Sequence, residues 1–121
     1  MIENPEARNA VIDILGDLAD PSFQQRVWVE RRGDPNLIEN LDEAVSDLFD
    51  LYLDNENIER YIGAVLRNSR EAKIMADLAD VLLPLYASLP PGTSDAAAIA
   101  MPEWSKVVET ARAALRTFSD E

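Results

Sequence analysis

The side chains able to do chemistry in this chain are almost all carboxylates. Among 121 residues there are 23 Asp+Glu and 11 Lys+Arg, with no His and no Cys. Zinc fingers, Fe–S ligation, a Cys nucleophile and a His general base are therefore excluded. Ser and Thr are present, but without His or an SxxK arrangement a hydroxyl nucleophile has no base. Gly16, Gly33, Gly63 and Gly92 are isolated, so no glycine-rich loop cradles a phosphate. Asp54-Asn55-Glu56-Asn57 lacks the glycine and the closing glutamate of a calcium loop. One pattern fits a hard cation. Glu56-x-x-Glu59 and Asp77-x-x-Asp80 each put two carboxylates on one helical face. Magnesium accepts such a set when waters and substrate phosphates complete its shell. With 23 acids in the chain, pairs at this spacing also arise by chance.

The second pattern is a strip. Residues 33–59 hold nine acids and no base, whereas residues 60–73 carry Arg60, Arg67, Arg70 and Lys73 against Glu71 alone. Within the acidic block, Glu43, Asp47, Asp50 and Asp54 recur at i, i+4, i+7 and i+11. At 100° per residue they span roughly 60° of a helix, opposite Leu41, Val45, Leu48 and Tyr52. Each adjacent like-charged pair costs about 0.2–0.5 kcal/mol. Asp50 and Asp54 also lie toward the C-terminal end, where the helix dipole favours cations. Two readings follow. The strip is a solvated face, neutralised within the molecule by Arg26, Arg31, Arg32 or the 60–73 segment. Alternatively it docks a basic protein partner through Glu43, Asp47, Asp50 and Asp54, with Asp42 and Glu39 at its rim.

The elements that position these residues read as helices. Asn4 caps a helix opened by Pro5, with Ala7, Val11, Ile14, Leu15 and Leu18 as its apolar stripe. Asp20-Pro21 repeats the start signal, carrying Phe23 and Val27 inward and stopping near Gly33, before a turn at Asp34-Pro35-Asn36. Asn40 and Glu43 have capping-box spacing and open a helix to about Leu53. Residues 58–66 suit either a helix or a strand; helix is favoured because no second strand is available for pairing. Asn68 and Glu71 cap the next helix, with Ile74, Leu78, Val81, Leu82 and Leu85 inward and a kink expected at Pro84. Residues 89–94 form a linker-like loop, and 95–100 a short helical turn. Pro102 opens the last helix, with Trp104, Val107, Val108, Ala111, Leu115 and Phe118 on one face. Trp104 reads as core, and Trp28, one position off its stripe, as core or groove. The expected fold is one all-α domain of five to seven helices over residues 1–121.

The composition agrees with that size. With 47% hydrophobic residues, a chain of 13.5 kDa buries about two-thirds of its surface, leaving roughly 6,500 Å² exposed. A net charge of −12 repels nucleic-acid phosphates and anionic membranes, so neither is expected as a partner. The acidic N-terminus lacks the features of a signal peptide, and no apolar run approaches a membrane span. A cytoplasmic location is expected, with no cofactor. Pro84 marks the surface through which a homodimer would form.

Several segments together resemble a family of small, acidic, uncharacterised proteins from actinobacteria. They are Ala19-Asp20-Pro21, Arg26-Val27-Trp28-Val29-Glu30-Arg31, Leu41-Asp42, Leu48-Phe49-Asp50, Ile62-Gly63, Pro102-Glu103-Trp104, Val107-Val108 and Ala111-Arg112-Ala113-Ala114-Leu115. The resemblance covers roughly residues 10–118 and implies no catalytic residues. The paired acids Glu56/Glu59 and Asp77/Asp80 are similar to motifs of all-α nucleotide pyrophosphohydrolases, which supplies the alternative function, a magnesium-dependent hydrolase. The expectation placed first is a non-catalytic module that docks a basic protein, of inhibitor or immunity type.

Overall fold

Every described α-helix start but the last is written in a side chain three residues before the amide it satisfies. In the computed structural model, which describes residues 2–30, 40–54 and 56–119, the Asn4 side chain accepts from the Ala7 amide at 3.1 Å and opens α1 (Pro5–Leu18). Asp20 does the same for Phe23 at 3.1 Å and opens α2. That helix begins as an α-turn (Pro21–Phe23) and continues as a π-helical stretch (Gln24–Val29). Asn40 caps α3 through the Glu43 amide at 2.8 Å. Its α-helical part (Leu41–Ser46) likewise widens into a π-helical stretch (Asp47–Tyr52). Asn68 caps α4 (Ser69–Ser88) through the Glu71 amide, and Ser94 caps the short α5 (Asp95–Ile99). The last helix, α6 (Trp104–Ser119), starts two residues after Pro102, which lies in the preceding turn.

The result is an all-α single domain; the described residues form six helices and no strand. Helix α6 packs against both α4 and α1, and α3 lies along α1. Its 7085 Å² of accessible surface is close to the value its mass requires of one compact domain. The whole expected stripe of α1 is buried: Ala7, Val11, Ile14, Leu15 and Leu18. Helix α4 runs through Pro84, an exposed residue, to Ser88. Among the described residues no helix is long and apolar enough to cross a membrane.

Where the structure departs from the periodic reading, local geometry explains it. In α2 and α3 the backbone switches to i→i+5 bonding. The Glu30 amide donates to the Gln25 carbonyl and the Leu53 amide to the Leu48 carbonyl, both at 2.9 Å. A wider turn rotates every later side chain relative to an α-helix. In α2, Gln24 and Trp28 are buried, while Phe23 and Val27 are only half-buried. In α3, Leu41, Val45 and Leu48 are buried as expected, but Phe49 and Leu53 join them and Leu51 turns outward, 70% exposed. In α4 the buried set is centred on Ala72, Met75, Leu78, Ala79, Leu82 and Leu85, with Ile74 and Val81 at its margin.

Residues 58–66 are not one helix. Ile58–Tyr61 form a 3-10 turn, after which the chain folds tightly through Gly63 at φ +98°. The Tyr61 carbonyl accepts from the amides of Ala64, Val65 and Leu66, and an isolated parallel bridge joins Ile62 to Leu66. A left-handed glycine and a carbonyl serving three amides make a closed loop that cannot propagate as a helix.

The stop near Gly33, the turn at Asp34-Pro35-Asn36, the residues Arg31 and Arg32, and the rim acid Glu39 lie outside the described residues.

Candidate functional site

The four acids expected to form one strip are divided by the π-helical stretch of α3. Glu43 and Asp47 face α1, where they border a cleft of about 220 Å³ together with Asp13 and Asp17. Ala10, Ile14 and Ala44 supply its apolar floor. Trp28 and Tyr52, one from each π-helical stretch, also line it. No cationic side chain among the described residues lines this cleft. Its size is below the roughly 300–1,000 Å³ of small-molecule sites. It suits a single long side chain better than a cofactor.

Asp50 and Asp42 belong to a different surface. The Tyr86 hydroxyl of α4 donates to Asp42 at 2.5 Å. That hydrogen bond, partial burial and the nearby charges of Asp42, Asp50 and Asp95 hold the Tyr86 phenol above its ordinary range. Asp54, beyond the end of α3, lies 3.8 Å from the Arg60 guanidinium and also accepts from the Glu56 amide at 2.9 Å. One member of the strip is thus neutralised from the basic 60–73 segment.

The alternative magnesium residues are brought partly together. Glu56, Glu59 and Asp77 border a second hollow, of about 610 Å³, between the 3-10 turn and α4; Asp80 does not. Arg70 and Lys73 line the same hollow, and the Lys73 ammonium lies 3.4 Å from Asp77. Cations already interleaved with the acids work against a divalent ion. Among the described residues, no three acidic side chains are grouped so as to hold a metal ion.

A buried ion cluster was not read as such from sequence. Glu71 is fully buried. Its carboxylate accepts from Arg8 Nη1 at 2.7 Å and Nη2 at 3.0 Å, and from the Arg67 amide and Nε, both at 2.8 Å. Arg8 also donates to the Val65 carbonyl and stacks over Phe118, 4.8 Å from the ring centre. Arg67 Nη2 donates to the Phe118 carbonyl at 2.7 Å. Burial alone would push the Glu71 carboxyl up, but the hydrogen bonds from Arg8 and Arg67 and the Arg8 charge outweigh it and leave the group below its usual range. Glu71 was legible as a partner of the Asn68 cap, a role its backbone amide does fill. Nothing in local spacing signals a carboxylate turned toward a residue 63 positions away.

Asp13 and Asp17 were also missed as members of the acidic cleft. Their i, i+4 spacing on α1, flanking Ile14, was available as a signal.

A family model described as Domain of unknown function (DUF7945) matches residues 2–121. No curated protein and no solved structure matches the chain.

Proposed function

The chain belongs to the DUF7945 family, and from its geometry we propose that it is a non-catalytic protein-binding module whose acidic cleft between α1 and α3 receives a basic partner. One observation carries the reading. Carboxylates from two separate helices, Asp13 and Asp17 on α1 and Glu43 and Asp47 on α3, border one cleft with an apolar floor. An Arg or Lys side chain matches both features, laying its methylene stem on Ala10, Ile14 and Ala44 and its charge against Asp13, Glu43 and Asp47. Asp50 and Asp42 extend the negative field beyond the cleft and would steer approach more than they contribute affinity. Tight binding of this kind suits an inhibitor or immunity-type protein that masks a cationic surface otherwise used to grip nucleic acid.

The test is binding to an arginine-rich peptide and to an uncharged peptide of equal length, at low and high salt. Wild type is compared with a Glu43→Gln/Asp47→Asn variant and an Asp50→Asn/Asp54→Asn variant. Salt-sensitive binding of the basic peptide that is lost in the first variant and only slowed in the second supports the reading. Equal weakening by both variants would mean that net charge alone attracts the peptide, and the cleft would have no role.

A further inference from the structure

The ends of the described chain meet at one loop. The Glu3 and Asn4 amides donate to the carbonyls of Gly63 and Ala64 at 2.9 and 2.8 Å, fixing the entry into α1. Arg8, on the first turns of α1, donates to the Val65 carbonyl at 2.9 Å. From the same loop, Arg67 reaches the Phe118 carbonyl in the last turn of α6. Buried Glu71, in the first turn of α4, joins Arg8 and Arg67 to each other. The starts of α1 and α4 and the end of α6, up to 110 positions apart in sequence, therefore meet at this loop.

We infer that the loop 61–67, closed by the Arg8–Glu71–Arg67 cluster, is a conformational latch that holds the last turn of α6 to the bundle and lets that turn open as a unit when the cluster is broken. Three features carry the inference. The cluster is polar in a place where apolar side chains would fill the volume, and buried ion pairs of this sort often add no net stability. It is saturated: among the described residues no buried side-chain nitrogen or oxygen is left without a partner. It is also the point at which two arginines donate to the Phe118 carbonyl in the last turn of α6, where cations complement the helix dipole. Polar groups that are fully satisfied in only one arrangement specify that arrangement. The latch thus selects the register of the α6 end, and the apolar core supplies the stability.

Amide hydrogen exchange followed residue by residue, together with thermal unfolding, tests this on the intact chain. Arg67→Met removes the 2.7 Å bond to the Phe118 carbonyl, leaves there the 3.5 Å contact from Arg8, and keeps Glu71 paired with Arg8. Exchange at residues 115–119 should accelerate by about tenfold or more, with exchange at residues 41–52 unchanged. The triple variant Arg8→Met/Arg67→Met/Glu71→Leu should melt at or above the wild-type temperature, yet keep fast exchange at 115–119. The latch is refuted if Arg67→Met leaves the end of α6 protected or accelerates both regions alike. It is equally refuted if the triple variant restores slow exchange, or melts well below wild type, since the cluster would then be ordinary packing or an ordinary stabiliser.

Discussion

Gln24 offers the sharpest test of how this core is held. Its side chain is fully buried and makes three hydrogen bonds. The amide nitrogen donates to the Asp17 and Leu18 carbonyls at 2.9 and 3.0 Å, and the oxygen accepts from the Trp104 indole at 2.9 Å. Gln24→Met keeps much of the volume but leaves the indole N–H buried without an acceptor, which costs about 1–3 kcal/mol. It also removes a donor from two carbonyls at the end of α1, each bond being worth about 0.5–1.5 kcal/mol. The Asp17 carbonyl keeps a long bond from the Asp20 amide, at 3.4 Å. The expected total is roughly 2–6 kcal/mol, toward the lower end because of that remaining bond. Trp104→Phe strands the Gln24 oxygen and opens a small cavity, for about 1.5–3 kcal/mol. The double variant removes both partners and should be less destabilised than the sum by about 1–2 kcal/mol. Urea unfolding followed by tryptophan emission and by circular dichroism measures all four corners of the cycle. If the two single effects add to within about 0.5 kcal/mol, the Gln24–Trp104 bond contributes no coupling and the reasoning fails.

Two further outcomes follow from the charges. Because the Glu71 carboxyl titrates below its usual range when folded, it contributes stability that is fully present above its unfolded value and lost as pH falls through the folded one. The acid limb of a stability–pH profile should therefore flatten in Glu71→Gln, which itself destabilises by about 3 kcal/mol at neutral pH because Arg8, 11% exposed, loses its charged partner. A profile unchanged in shape would show that other carboxylates set the acid limb. In the strip, Asp50→Asn relieves an unfavourable charge near the end of α3 and should raise stability by a few tenths of a kcal/mol. Asp54→Asn breaks an exposed pair with Arg60 and should leave stability unchanged or slightly lower, so that thermal melts of the two variants shift in different directions or one does not shift at all.

What the residues settled by themselves was the local part of the structure. The caps at Asn4, Asp20, Asn40 and Asn68 are each satisfied within three positions, so each could be read without knowing what the helix packs against. The α1 stripe was equally legible, because a regular 3.6-residue turn maps spacing directly onto a face. The absence of His and Cys narrowed the chemistry before any fold was known. Tertiary structure decided everything that depends on departures from that period or on distant partners. The π-helical turns at Gln24–Val29 and Asp47–Tyr52 rotated Trp28 inward and Leu51 outward and set Asp50 apart from Glu43 and Asp47, so that one continuous strip became a cleft and a separate surface. The tight loop at Gly63 ended a helix that apolar periodicity would have continued. Glu71, Arg8 and the end of α6 meet across 63 and 110 positions. Periodicity carries no information about which chain segments become neighbours; that is set when the apolar faces pack and the few charged groups caught between them find the only partners within reach.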